Sequence, residues 1–312
     1  MTSVAAVVLT RNRRALLAEC LDALRAQTHP VARVLVVDNA SPDGTAEMLS
    51  ARADVDVLRL ERNAGGAGGF SRGVEAARET EVDWLWLMDD DAEPRPDCLE
   101  RMLAPPAARA PGTVALCSRV DGADGRLQAL HRGFLGRRPV ALPEAAYAAD
   151  TASVGYATFV GLLVRADVAR ALEPPRAEFF IWADDYEYSL RLSERGDIRL
   201  VPASVIVHKD ARAAPFLTTR GRLANRLLGW ELESTRWDAA WRNLLGVRNY
   251  VWTMRELRRQ SALGAAATAA GFMVKALLYD ERPLRRLPWI WRYAVHGRRG
   301  VFDNAIVRRW PP

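Results

Sequence analysis

The chain has 312 residues, 49% of them hydrophobic and 26% charged, with a formal net charge of +6. This length and apolar content exclude a disordered or low-complexity chain and suffice for a large α/β domain with an appendage. Three cysteines without CxxC or metal spacing exclude a disulfide scaffold and read as small core residues of a reducing compartment.

Residues 4–9, Val-Ala-Ala-Val-Val-Leu, predict a strand buried on both faces. Leu16, Leu17, Cys20, Leu21 and Leu24 then recur at helical spacing. Residues 34–37 predict a second buried strand ending at Asp38, and 41–45 a turn and cap before a short helix. A third strand is expected over 55–60, followed by the glycine-rich turn 63–69 and a helix carrying Phe70, Val74 and Ala77. The run Trp84-Leu85-Trp86-Leu87-Met88 predicts a fourth strand, broken off by Asp89, Asp90 and Asp91. Strand and helix thus alternate through the first hundred residues, with polar groups at each strand's C-terminal end. That is the pattern of a doubly wound sheet whose ligands bind beyond those ends.

Past residue 113 the alternation breaks. Strands are expected over 114–120, 156–164 and 198–207, and helices near 166–172 and from Asp184 through Arg195. Residues 121–150 take no assignment. The acids opening the second of these helices suit its macrodipole. Residues 215–233 read as a mobile loop. An amphipathic helix over 238–259 follows, then an apolar one over 261–279, too short for a comfortable bilayer span and holding Gly264, Gly271 and Lys275. Arg282, Arg285, Arg286, Arg292, Arg298, Arg299, Arg308 and Arg309 make the tail basic. This region suits either an anionic membrane surface or a helical pair packed on a core. The division expected is a catalytic domain over 1–215 and a helical, basic region over 216–312. The N-terminus enters its first strand without a basic region or cleavage site, so no signal peptide is expected.

Polar features close all four early strands: Thr10-Arg11-Asn12-Arg13, Asp38, Asn63 with its glycines, and Asp89-Asp90-Asp91. Each alone is equally a turn or a solvated acidic loop. Together they describe a nucleotide pocket with a metal at its mouth. Asp38 can accept from a base or ribose, and Arg11 can pair with or stack on the nucleotide. The glycines let backbone approach a ligand. Asp89 and Asp91 can hold a hard divalent cation that bridges phosphates. The arginines gather in the tail without interleaved aromatics, so no nucleic-acid partner is expected.

In this order the stretches VVLTRNR, VVDNAS, RNAGGAGGF, WLWLMDDDAEP, WADDYEYSLR and VIVHKD resemble the inverting family 2 glycosyltransferases of the GT-A fold. The resemblance covers roughly residues 1–210. Within the family these stretches look most like the galactofuranosyltransferases of actinobacterial cell-wall galactan and related rhamnosyltransferases. The resemblance implies a GT-A-type doubly wound mixed sheet with a C-terminal helical extension. It implies donor-nucleotide contacts from Thr10, Arg11, Arg13, Asp38, Asn63 and Asp89. It also implies Mn²⁺ or Mg²⁺ on the donor diphosphate, held by Asp91 with Asp89 and by the late His208. One imidazole among hard oxygens suits Mn²⁺.

By the same resemblance Asp185 is the catalytic base, Asp184 contacts the acceptor and Trp182 touches sugar. Trp182 stands one residue earlier than the family's usual tryptophan, so Asp184 stays the other candidate for the base. A hydroxyl is a poor nucleophile, and a positioned carboxylate must take its proton. On the residues alone, Asp184 is equally a helix cap and His208 a satisfied strand-end histidine. Trp84 and Trp86 are expected to face the core.

The expected activity is transfer of galactofuranose from UDP-galactofuranose to a hydroxyl of a lipid-linked, polyprenyl-linked or cell-wall glycan. Transfer from dTDP-rhamnose, or decoration of a secondary metabolite, is the alternative within the class. A nucleotide-sugar-binding protein without turnover is the alternative outside it. The expected location is the cytoplasm, at the inner face of the membrane where the tail engages lipid.

Overall fold

The computed structural model describes residues 2–136, 138–209, 216–229 and 232–310. In chain order its elements are β1 (Val4–Thr10), α1 (Arg14–Arg25), β2 (Arg33–Asp38), α2 (Thr45–Ser50), β3 (Asp56–Arg59), α3 (Gly65–Ala77), β4 (Trp84–Asp89), β5 (Ala92–Pro94), α4 (Cys98–Leu103), α5 (Pro106–Arg109) and β6 (Thr113–Gly122). There follow β7 (Arg132–Leu135), β8 (Pro139–Ala141), β9 (Ala152–Val154), β10 (Tyr156–Ala157), β11 (Leu162–Arg165), α6 (Ala166–Ala171), α7 (Asp184–Ser193) and β12 (Asp197–His208). The last are α8 (Thr219–Leu228), α9 (Ala240–Arg258), α10 (Ala262–Tyr279), α11 (Pro283–Arg299) and α12 (Ile306–Arg309). They form two compact units, Met1–Ala177 with Asp185–Ala211, and Glu178–Asp184 with Arg212–Pro312. A division at residue 215 keeps 178–184 with the first unit, whereas here that short segment clusters with the second.

The first unit is built on a mixed sheet of order β3-β2-β1-β4-β11-β6-β12-β5, with β9 on β12. β1 pairs in parallel with β2 and β4, while β11 runs antiparallel between β4 and β6. The strand order reverses at β1: the chain moves outward to β2 and β3, then returns to β4 on the other side of β1. In sheets of this kind the crevice beyond the carboxyl ends at the reversal receives ligands. Register sets Thr10 beside Asp38 and Leu9 beside Asp89 at that point. On the far strand it sets His208 beside Ala92, directly after the acidic turn.

Strand period explains the two-sided core. Ala5, Val7 and Leu9 face Phe70 and Val74 of α3, while Val4, Ala6 and Val8 face Leu17, Leu21 and Leu24 of α1. In β4, Leu85 and Leu87 point one way and Trp84, Trp86 and Met88 the other, so both tryptophans are core residues. All three cysteines are free and buried, and burial pushes the Cys98 and Cys117 thiols up to about 11.

Two glycines of α3 serve packing. A Cβ on Gly69 would lie 2.3 Å from Leu9, and one on Gly73 2.6 Å from Val7 and 2.9 Å from Val37. Those glycines let α3 press onto the sheet. Gly66, at the start of that helix, faces open space, with nothing within 4 Å of an added Cβ.

Two further stretches depart from expectation. The single strand read over 156–164 is β10 and β11, parted by Gly161 at φ +79, a conformation that favours glycine. Part of 121–150, unassigned from sequence, supplies β7 and β8, which join β10 in a separate three-stranded sheet.

In the second unit, α9, α10 and α11 share a core that includes Leu245, Val251, Ala269, Ile290 and Tyr293. Where the sequence reads a mobile loop there is helix α8, opened by Thr218, whose Oγ1 accepts from the Gly221 N–H at 3.0 Å. Its inward residues are Gly221 and Ala224, too small to mark an apolar stripe. Pro215 and residues 230–231 of that loop reading, and Asp210, lie outside the described residues. The tail arginines are not equivalent. Arg286 is buried and donates to the carbonyls of Glu281, Thr235 and Arg236, while Arg285, Arg292, Arg298 and Arg299 are exposed.

Candidate active site

β4 ends at Asp89 and the chain turns at Asp90 and Asp91 before β5. The turn ends the alternation of the strand, so the three carboxylates take different surroundings. Asp89 is half-buried at the strand end. Asp90 is 3% exposed and turns inward, accepting from Thr10 Oγ1 at 2.7 Å and Arg13 Nη1 at 3.1 Å. Burial pushes the Asp90 carboxyl up to about 6, against the opposing pull of Arg13. Asp91 is 5% exposed and pairs through Oδ2 with Arg13 Nη1 at 2.8 Å. Burial works against the Arg13 charge, and the pull of Asp90 and Asp91 outweighs it, holding its pKa above the ordinary arginine value.

Thr10 and Arg13, expected as donor contacts, thus engage the acidic turn itself. Arg11 is exposed, with its backbone N–H 3.4 Å from Asp90 Oδ2. Asn63 Oδ1 accepts from the Gly65 N–H at 2.9 Å, and Asn39 Oδ1 from the Ala64 N–H at 2.8 Å, so both asparagines shape the glycine turn.

Asp38 is fully buried. Its Oδ1 accepts from the Ser41 N–H at 2.9 Å, while Oδ2 has no hydrogen bond among the described residues and lies 3.6 Å from Arg59 Nε. Such an acceptor is costly to leave unmade unless a ligand donor completes it. A cleft of about 370 Å³ opens at the ends of β2 and β3, lined by Ala40, Ser41, Pro42, Arg59, Leu60 and Glu61.

His208 closes β12 with its Nε2 3.3 Å from Asp91 Oδ1. Its Nδ1 lies 2.8 Å from Gln128 Oε1, which also receives His131 Nε2 at 3.0 Å. The Gln128 contact holds the ring by Nδ1 and leaves Nε2 turned toward Asp91. His208 Nε2 and Asp91 Oδ1 lie close enough for one cation to contact both. The donor set, one carboxylate and one imidazole, fits Mn²⁺ or Mg²⁺, ions often held by one or two carboxylates together with substrate phosphates. Asp89 does not complete a trio, and no three His, Cys, Asp or Glu side chains converge on one point among the described residues. Gln128 escaped the sequence reading because it lies in a stretch without periodicity, and only the fold brings it to His208.

Asp184 and Asp185 open α7. Asp184 is 7% exposed, and Asp185 Oδ1 accepts from the Tyr186 N–H at 2.7 Å. Burial first, and then the Asp185 charge, push the Tyr156 phenol up, so Tyr156 stays neutral beside that carboxylate. Trp182 is 46% exposed. Phe180, Trp182 and Ala183 have φ of 64°, 65° and 66°. Backbone of this kind in bulky residues costs on the order of 1–3 kcal/mol each and recurs at functional sites.

The chain matches the family described as glycosyl transferase family 2 over residues 5–171. It is 31% identical over 199 residues to the galactofuranosyltransferase GlfT1 of Mycolicibacterium smegmatis, covering 62% of this chain and 66% of that protein. It is 32% identical to the Mycobacterium tuberculosis GlfT1 over equal shares. The match thus spans just under two thirds of the length of these relatives. Among solved structures, Staphylococcus aureus TarS 1–349 in complex with UDP superposes at a TM-score of 0.58 with 14% identity, over 99% of this chain and 92% of that one. GalNAc-T7 with UDP, GalNAc and Mn²⁺ superposes at 0.55 with 15% identity, over 86% and 54%. Those two likenesses concern the fold, a GT-A-type mixed sheet with a helical C-terminal part. With the family's own signature spanning the reversal point of the sheet and the acidic turn, the chain belongs to glycosyl transferase family 2.

Proposed function

We propose that the chain is a metal-dependent, inverting hexosyltransferase that moves galactofuranose from UDP-galactofuranose to a hydroxyl of a lipid-linked or cell-wall glycan. The observation that carries this reading is the facing pair Asp91 and His208 beside the acidic turn of a family 2 sheet. The mycobacterial relatives, which are named galactofuranosyltransferases, support this choice of donor. Asp38 Oδ2 accepts from the uracil or ribose, and the neighbouring cleft takes the nucleoside.

The acceptor oxygen attacks the anomeric carbon from the face opposite the diphosphate. As that C–O bond forms, the C–O bond to the diphosphate breaks and its electron pair leaves with the nucleoside diphosphate. The hydroxyl proton passes to the Asp185 carboxylate, and the anomeric configuration inverts. Bound at Asp91 and His208, Mn²⁺ or Mg²⁺ would neutralise charge growing on the diphosphate. Asp184 contacts the acceptor, and the exposed indole of Trp182 offers a face to an acceptor sugar.

The second unit supports a peripheral seat on an anionic membrane. Leu263, Ala267, Ala270, Val274 and Leu277 of α10 are exposed at alternating spacings of four and three, one wholly apolar face. At 18 residues the helix is about 27 Å long, less than a typical hydrocarbon core. Exposed Arg285, Arg292, Arg298 and Arg299 on α11 suit anionic headgroups, where a polyprenyl-linked acceptor would present its glycan.

Calorimetry with UDP-galactofuranose, UDP-galactose, UDP-glucose and dTDP-rhamnose, each with Mn²⁺ and with EDTA, tests the donor. UDP-galactofuranose is expected to bind best and to lose affinity in EDTA. Preference for dTDP-rhamnose would keep the chemistry and change the sugar, and binding of none would overturn the donor site.

A further inference from the structure

The run into Asp184 bends through conformations that its side chains disfavour, and no glycine in it relieves them. Ile181 N–H donates to Phe179 O at 2.7 Å, closing a tight turn about Phe180 at φ 64°. Such a turn persists only where its surroundings over-determine it.

Those surroundings belong to the same compact unit. Asn249 of α9, fully buried, directs Nδ2 to three carbonyl oxygens, Phe179 at 3.0 Å, Ile181 at 2.9 Å and Trp182 at 2.9 Å. Arg248, also fully buried, donates from Nη2 to Phe179 O at 3.1 Å and to Glu178 O at 3.3 Å. Its Nε donates to Asn249 Oδ1 at 2.9 Å. A guanidinium only donates, so this bond fixes which end of the amide is oxygen and aims the NH₂ at the carbonyls. Nη1 is anchored in turn on Asp303 O at 3.0 Å and Asn304 Oδ1 at 2.9 Å. One helical turn before Asn249, Gly246 lies against the Trp182 indole, and a Cβ there would come within 2.7 Å of Cε3.

These contacts act almost wholly on backbone carbonyls. They specify a path of the chain, along which Phe179 and Ala183 are buried and Trp182 is exposed. We propose that Asn249, oriented by Arg248, is a positioning residue that locks the strained run 179–183, and thereby sets how Asp184 and the peptide leading into Asp185 are presented for acceptor activation. The inference rests on the reading of Asp185 as base. A misplacement near 1 Å at a reacting group costs on the order of 10²-fold in rate, and a run this strained has other conformers to relax into.

The test uses the full chain with UDP-galactofuranose, Mn²⁺ and an alkyl galactofuranoside as acceptor. Four variants run beside the wild type: Asn249→Ala, Arg248→Lys, Gly246→Ala and Asp185→Asn. For Asn249→Ala, hydrogen exchange at amides 180–185 should speed up and kcat should fall about 10- to 100-fold. Donor Kd should stay within about twofold, a split that general loss of structure would not give. Arg248→Lys keeps the charge without the fork and should fall between Asn249→Ala and wild type. Gly246→Ala leaves Asn249 intact, displaces the Trp182 ring and should raise acceptor KM with exchange at 180–185 unchanged, so Arg248→Lys, read by the same exchange and kcat, decides the matter if Asn249→Ala fails to fold. Unchanged exchange at 180–185, unchanged kcat, or parallel loss of donor binding and kcat in Asn249→Ala would overturn the proposal. If Asp185→Asn retains wild-type turnover while Asn249→Ala loses it, the base assignment fails and the positioning role stands.

Discussion

Asp90 and Asp91 are held by side chains from nearby strand ends: Arg13 bridges Asp90 and Asp91, Thr10 donates to Asp90, and His208 faces Asp91. The run before Asp184 and Asp185 is held otherwise, by donors from Arg248 and Asn249 to main-chain carbonyls about seventy residues away in sequence. In the first region side chains satisfy side chains, and the groups that neutralise the carboxylates are ones a cation could replace. In the second the chain's path is what is fixed, and the carboxylates follow from it. A change in the first region should therefore act on what binds, and a change in the second on how fast bound groups react.

The largest effect expected falls in the second region. Asp185→Asn keeps shape and removes the base, so transfer should drop by about 10²- to 10⁴-fold with donor affinity unchanged. Single-turnover rates and calorimetry on the same sample read the two quantities separately. Asp184→Asn run beside it decides between the adjacent acids: if Asp184→Asn loses turnover while Asp185→Asn keeps it, the base is Asp184.

The two regions also differ in how far the sequence revealed them. The acidic turn was legible because an apolar strand run stopping at three carboxylates is a local pattern, and the period of β1 and β4 predicts their burial. The direction of each carboxylate was not, since Asp90 turns inward toward Thr10 at the adjacent strand end and Arg13 at the start of α1. Helices α9 and α10 were legible from apolar spacing and length. Arg248 and Asn249 were hidden inside α9, where a buried arginine and asparagine carry no periodic signal and their partners lie far away in sequence. Helix α8 was hidden because its buried side is a glycine and an alanine.

A smaller effect sharpens the first region. Gln128 Oε1 lies 2.8 Å from His208 Nδ1 and orients the ring, and partners of this kind are typically worth 10- to 100-fold in metal affinity. Gln128→Ala should therefore weaken Mn²⁺ binding by about that factor, and weaken the donor only where its binding needs the metal. His208→Ala should weaken it more, and Gln128→Glu, which keeps an acceptor, should recover part of the loss. A Mn²⁺ titration of Gln128→Ala indistinguishable from wild type would make Gln128 a packing residue and leave His208 oriented by other means.

The smallest effect separates the glycines that serve packing from one that faces open space. Gly73 lies against Val7 and Val37, so Gly73→Ala forces an added methyl into close-packed side chains and should cost about 1–3 kcal/mol of stability. Gly66, at the start of the same helix, has nothing within 4 Å of an added Cβ. Gly66→Ala should raise stability by up to about 1 kcal/mol through helix propensity alone. Denaturant unfolding reads both. If Gly66→Ala also weakens donor binding, backbone approach to the ligand occurs at Gly66. If it stabilises without touching donor affinity, the glycine turn is packing and loop geometry throughout, and donor recognition falls to Asp38 and the acidic turn.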